Sequence, residues 1–327
     1  MVIRVGIVGT GYAASMRARA FEGDARSQLV SVAGRSVERT EAFAKGYGIQ
    51  AVDSWRSLVQ DDAVDLVIIA TVSSLHGDVA QAALEAKKAV VVEYPLSLDL
   101  AQAERLVAIA QAQNQLLHVE HIELLGGLHQ ATKTYLPRIG LPSYINYRTI
   151  NAVRSAPLKW TYRLDLFGFP FTGALSRVHR LTQLFGVVQA VDCCTRTVKS
   201  QVDSNYFSSV LSSARLQFES GLIAELTYGK GEGFWTGRRD IEIQGQQGSL
   251  IFERDEGRLT TDQGVESIAV VPRKGLFLKD TQSVLDFLTM GKALYVKPSE
   301  SLYALRVSEA LQRASDSGQT VLIEDNS

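Results

Sequence analysis

The stretch Val5-Gly6-Ile7-Val8-Gly9-Thr10-Gly11-Tyr12-Ala13-Ala14 decides the fold of this 327-residue chain. An apolar run ends in glycines spaced as G-x-G-x-x-A, and a helical pattern follows at once. Strand, tight turn and helix start in that order form the first half of a dinucleotide-binding βαβ unit. Gly9 permits the turn, Gly11 lets the backbone approach a pyrophosphate, and Ala14 allows the helix to pack closely on the strand. Tyr12 and Ala13 open the helix whose amide end faces the anion. The alternative is a glycine turn with no ligand, and the position of the motif between strand and helix speaks against it.

The ribose end of such a site distinguishes the cofactors, because an NAD site usually carries an acidic residue roughly 20 residues onward. Here the second strand ends Ala33-Gly34-Arg35-Ser36, with Arg39 one turn later. Guanidinium groups pair well with a 2′-phosphate, so NADPH is favoured over NADH. The competing reading makes Arg35 and Arg39 a solvated helix start.

Outward from this motif, short apolar runs at residues 2–8, 29–33, 66–70, 89–92 and 116–119 alternate with helical patterns, the clearest at 99–113. That alternation implies a parallel sheet covered on both faces, a doubly wound Rossmann domain over residues 1–122. Residues 123–140 read as one more helix, ended by Pro137 and Gly140. Beyond it the texture changes to longer alternating runs at 143–150, 188–199, 208–219, 222–228, 240–244 and 249–253, with helical patterns near 173–185, 280–290 and 299–314. The expected fold class is therefore α/β with a C-terminal α+β domain, residues 123–327, built on a mostly antiparallel sheet.

With 46% hydrophobic and 21% charged residues, the chain can bury ordinary cores in two domains. Its apolar runs fall far short of the roughly 20 residues a membrane span needs, and its start runs straight into a strand pattern, so a cytoplasmic location is expected. The two cysteines, Cys193 and Cys194, are adjacent on a strand and read as small hydrophobes. Residues 1–122 hold 11 Lys+Arg against 14 Asp+Glu, whereas residues 131–240 hold 14 against 7, a local excess that suits an anionic ligand or a scatter of surface cations. No basic run suggests nucleic acid.

The spacing from Gly9 through Ala70-Thr71, His76 and Val91-Val92-Glu93-Tyr94-Pro95 resembles the family of glucose-fructose oxidoreductases and inositol dehydrogenases over nearly the whole chain. In that family the strand end usually reads Glu-Lys-Pro, and the lysine works with an aspartate and a histidine on a sugar hydroxyl. Here the lysine position is Tyr94, and the aspartate and histidine positions fall on Thr172 and Ser176. A tyrosine near pKa 10 or a serine is a poor base for hydroxyl oxidation. Glu93-Tyr94-Pro95, together with His118-Val119-Glu120-His121-Ile122-Glu123-Leu124-Leu125, is similar instead to the biliverdin reductases. Residues 116–127 and 168–180 resemble the cyanobacterial ones in particular.

The resemblance implies hydride transfer from NADPH to the central methine carbon of biliverdin, giving bilirubin, with a proton delivered to a pyrrole nitrogen. No alkoxide forms, so orienting a flat ligand matters more than a strong base. Tyr94, at the carboxyl end of a parallel strand, is a candidate for contact with nicotinamide and substrate, as is His121. Arg177 is the candidate for gripping the bilin through a propionate or near the reacting pyrrole, with Arg180 three residues on and either exposed or sharing that role. Glu120 and Glu123 are candidates for proton delivery if burial raises a pKa. Thr71, His76 and Glu93 complete the cofactor side, although His76 could equally cap a helix and Glu93 could orient the turn before Pro95. Strand alternation separates His118 and Glu120 from His121 and Glu123, so no metal site is expected. The alternatives are an NADP-dependent sugar or cyclitol dehydrogenase and a non-catalytic NADP-binding regulator. The outer face of the second sheet would suit a homo-oligomer.

Overall fold

Strand β1 (Ile3–Val8) sets Ile3, Val5 and Ile7 on one face and Arg4, Gly6 and Val8 on the other, its last four residues are buried, and it lies inside a parallel sheet covered on both faces. The computed structural model describes residues 2–323. After β1 come α1 (Tyr12–Phe21), β2 (Ser27–Ala33), α2 (Val37–Tyr47), β3 (Gln50–Val52), α3 (Trp55–Gln60), β4 (Leu66–Ile69), α4 (His76–Glu85), β5 (Ala89–Glu93), α5 (Leu100–Ala112) and β6 (Leu117–Glu120). The six strands are ordered β3-β2-β1-β4-β5-β6, so the order reverses beside β1, where a doubly wound sheet binds its ligand. All four residues of β4 are buried. Each fully buried Leu, Ile or Val contributes about 1.5–3 kcal/mol. Local signals fix the helix starts: Ser36, Ser54 and Asp99 each accept a bond from a backbone amide three residues on, worth about 1 kcal/mol apiece.

The remaining elements are α6 (Gly127–Tyr135), β7 (Pro142–Ala152), α7 (Leu164–Phe167), α8 (Pro170–Gly173), α9 (Ser176–Phe185), β8 (Val188–Lys199), β9 (Phe207–Phe218), β10 (Ile223–Gly231), β11 (Arg238–Gly245), β12 (Gly248–Glu253), β13 (Glu256–Thr261), β14 (Gly264–Ala269), α10 (Leu276–Met290), α11 (Pro298–Ser317) and β15 (Val321–Leu322). Nine strands form the second sheet in the order β14-β13-β12-β11-β7-β10-β9-β8-β15. It is antiparallel except where β10 runs parallel to β7. The α/β and α+β classes read from the sequence are both present.

The chain divides into two units, residues 2–122 with Gly275–Leu302, and Glu123–Lys274 with residues 303–323. The stretch Gly275–Leu302, which the sequence reading kept with residues 123–327, packs with the first unit. The reason is physical: Val284 and Leu285 of α10 sit in the same apolar core as Val5, Ile7, Ala14, Ala18 and Phe21. The single helix expected over residues 123–140 is also corrected. A short 3-10 turn over Ile122–Leu124 precedes α6, and a second follows over Leu136–Ile139, because Gly126 starts the helix afresh and Pro137 cannot continue it. Strands β3, β13, β14 and β15 carry too few buried apolar residues to announce themselves in the sequence. Among the described residues no helix is long and apolar enough to cross a membrane.

Candidate functional site

The glycine-rich turn has the geometry a dinucleotide needs. Gly9 lies at φ +126°, and a Cβ there would stand 2.1 Å from the Ala70 carbonyl oxygen, so only glycine fits. A Cβ at Gly11 would meet nothing within 4 Å. That open room lies at the start of α1, whose amide end has no side-chain cap. The residues present therefore fit a pyrophosphate at a helix N-terminus. Tyr12 is 76% exposed and meets Phe277 of α10 edge-on. At the end of β2, Arg35 and Arg39 are exposed, Arg39 donates to the Thr10 carbonyl at 3.2 Å, and the Ser36 hydroxyl caps α2.

At the ends of β4 and β5 the candidates are tied to one another. The ring of His76 is buried, with Nδ1 2.8 Å from the Pro95 carbonyl and Nε2 3.3 Å from that of Thr71. Burial lowers its pKa, and a neutral imidazole donates to one of those carbonyls. His76 therefore holds two strand ends together rather than capping α4 with its side chain. Tyr94, which follows β5, stacks flat on His121, centroids 5.4 Å apart and planes 7° apart. His121 is fixed by Ser301 at 2.8 Å and, through its backbone amide, by the Tyr295 hydroxyl at 3.1 Å.

Beneath these lies a buried charge network that the sequence did not reveal. Arg17 of α1 donates to Glu93 at 2.8 Å and pairs with Asp280 of α10. Asp280 also accepts from His118 and Tyr295, each at 2.7 Å. Burial alone would raise the Asp280 pKa, but Arg17 and His118 outweigh it and hold the carboxyl well below the usual range. Glu120 behaves oppositely. Burial and then the charge of Glu93 push its pKa well above the ordinary value, against the pull of Arg17. Its Oε1 accepts from the Ile122 amide at 2.8 Å, while Oε2 is buried with no hydrogen-bond partner among the described residues. Arg17 did leave a trace in the sequence, a charged residue on the face that also presents Ala14, Ala18 and Phe21.

The second unit holds the arginines. Arg180 is 2% exposed, against the expectation that it faces solvent as readily as a ligand. It donates to the Tyr147 hydroxyl and lies 3.3 Å from Glu123, whose other oxygen pairs with Arg273. Glu123 does not meet the condition set for a proton donor. Burial would raise its pKa, but Arg180, Arg273, Arg177 and Arg239 outweigh that and lower it. Arg177 is half-buried, donates to the Ser176 hydroxyl at 2.8 Å and stands 5.9 Å from the centroid of the Tyr228 ring. Arg239 and Arg273 were not singled out from the sequence. Thr172 is buried against Ser308 at 2.8 Å, so that position holds two hydroxyls and no titrating base. Among the described residues no three His, Cys, Asp or Glu side chains are grouped to hold a metal ion.

The model of the oxidoreductase family with NAD-binding Rossmann fold matches residues 3–121, and that of the same family's C-terminal alpha/beta domain matches residues 137–323. The chain belongs to this family and is an NAD(P)H-dependent oxidoreductase. Within the family it is similar to biliverdin reductases. The crystal structure of the biliverdin reductase from Synechocystis sp. PCC 6803, in complex with biliverdin and NADP+, superposes with a TM-score of 0.94 at 49% identity, covering 96% of this chain and 99% of that one. Biliverdin reductase A of Mus musculus is 28% identical over 317 residues, 94% of each chain. The NADP+-dependent scyllo-inositol 2-dehydrogenase of Bacillus subtilis (strain 168) is 24% identical, covering 98% of this chain and 96% of its own.

Proposed function

We propose that the chain is an NADPH-dependent biliverdin reductase that reduces the central methine bridge and protonates a pyrrole nitrogen, giving bilirubin. The observation that carries this reading is the 49% identity, over 96% of the chain, to a biliverdin reductase that binds biliverdin and NADP+. When bound, NADPH supplies the hydride. Gly9 spends its own amide on the Ala33 carbonyl at 2.8 Å and shapes the turn, so that Gly11, Tyr12 and Ala13 would receive the pyrophosphate on uncapped amides, while Arg35, Ser36 and Arg39 would receive the 2′-phosphate. Thr71, His76 and Glu93 keep the ends of β4 and β5 in register for the rest of the cofactor.

The stacked pair of Tyr94 and His121 offers the bilin a flat, rigid partner, which suits a reaction governed by orientation. Arg177 and Arg180 bring positive charge to a substrate with two carboxylates. Arg177 stabilises negative charge near the reacting pyrrole but stays protonated, since a guanidinium pKa exceeds about 12. Glu120, with its raised pKa, is the carboxyl suited to hold a proton for the pyrrole nitrogen, whereas Glu123 stays ionised between its arginines. A sugar dehydrogenase reading lacks a base at Tyr94, Thr172 and Ser176.

The test is isotopic. With NADPH deuterated at the transferable position, one deuteron should appear at the central methine carbon of the product and none at the outer bridges. Label at an outer bridge, or product without label, overturns the proposed chemistry.

A further inference from the structure

The proposed reading names Arg177 and Arg180 as cations for the substrate, but the surroundings of Glu123 hold two more. Arg180 and Arg273 share that one carboxylate, one on each oxygen. The Arg239 carbonyl accepts from the Arg254 amide at 2.9 Å, but its guanidinium has no ion pair or hydrogen bond among the described residues. Its place is set by the sheet. In β11, Ile241 and Ile243 are fully buried on one face, and strand alternation puts Arg239 at the end of that apolar row. The register sets it opposite Thr149 of β7, which in turn pairs with Tyr228 of β10, the ring beside Arg177. A half-buried guanidinium at this point, facing Arg180 and Arg273 as well as an already shared Glu123, is disfavoured as it stands. Burial, then the two like charges, lower its pKa against the pull of Glu123. A half-buried cation with no partner of its own is costly unless an anion completes it.

We infer that Arg239 is a substrate-binding residue that takes a propionate carboxylate of the bilin, with Arg273 held beside it by Glu123. This inference rests on the proposed biliverdin reductase activity and extends it to a residue outside the glycine turn, the Tyr94 strand end and the α9 arginines. The neighbouring Arg238 is exposed, on the opposite face of the same strand, and serves as a control of equal charge.

The experiment compares biliverdin with its dimethyl ester, which keeps the chromophore but removes both negative charges, in the wild type, Arg239→Gln, Arg239→Lys and Arg238→Gln. A charge-assisted hydrogen bond of ordinary strength predicts that Arg239→Gln raises the KM for biliverdin about tenfold with kcat changed less than about twofold. On the diester, Arg239→Gln and wild type should have the same KM, Arg239→Lys should recover part of the loss on the diacid, and Arg238→Gln should match wild type on both. An equal loss on diacid and diester, or no loss on either, overturns the assignment while leaving the activity in place. A wild type that reduces neither compound overturns the activity and the assignment together.

Discussion

Two charge clusters, one in each unit, are built from the same residue types and are arranged for opposite ends. Around Arg17, carboxylates enclose a cation. Glu93 and Asp280 pair with it, and His118 and Tyr295 satisfy the remaining oxygen of Asp280. Around Glu123, cations enclose a carboxylate, with Arg180 and Arg273 bonded to it and Arg177 and Arg239 acting on it from further away. The first cluster is closed, and its charges find their partners within the fold. The second gathers four arginines about one carboxylate, an excess of positive charge that the proposed reading uses to bind an anion. Buried ionic networks are weak evidence of stability gained, but breaking one leaves an uncompensated charge. On the proposed reading, the contrast is between a scaffold and a binding surface.

The largest effect expected on this contrast is on stability. Arg17→Met leaves the fully buried Asp280 and the half-buried Glu93 without their cation and should cost about 3–5 kcal/mol of unfolding free energy, read from denaturant midpoints. A loss below about 1 kcal/mol would mean that the closed cluster is not holding the fold. Next comes Arg177→Ala in the open cluster, which should lower kcat/KM for biliverdin about 50-fold, a loss of about 2–3 kcal/mol of transition-state stabilisation. Its unfolding midpoint should move little. A stability loss matching that of Arg17→Met would erase the distinction between the clusters.

The smallest effect is on the pH dependence of stability. Glu120 has a folded pKa above its unfolded value, so its contribution is fully present below the unfolded value of about 4.3 and is lost as pH rises through the raised one. Asp280 and Glu123 have the opposite sign. Their contributions are present above the unfolded carboxylate values and are lost as pH falls through their depressed ones. Glu120→Gln keeps a neutral side chain of the same shape and should flatten the decline in stability on the alkaline side. Denaturation curves across a pH series check this, and an unchanged slope would mean that Glu120 is ionised in the fold.

How far the sequence could be read follows the range of the interactions involved. The Rossmann sheet was legible because β1, β4 and β5 are local apolar runs and the turn at Gly9 imposes its own residue types. Arg35, Ser36 and Arg39 were legible as a group because the end of β2 brings them together within five positions. Asp280 was not, because its meeting with Arg17 spans 263 residues and nothing local in α10 marks it. The packing of Gly275–Leu302 with the first unit was not legible for the same reason. Arg239 was missed more narrowly. The strand was expected to begin at residue 240, so the cation that shares the parity of Ile241 and Ile243 fell outside it. The opposite states of Glu120 and Glu123 depend on which charges surround each one after folding, and no spacing encodes that.

The central claim meets its most direct test in the absorbance of the purified protein mixed with biliverdin, followed over time with NADPH and, separately, with NADH. The account predicts that the long-wavelength bilin band disappears as a bilirubin band grows, faster with NADPH. A pigment unchanged with either cofactor across a range of pH would contradict it.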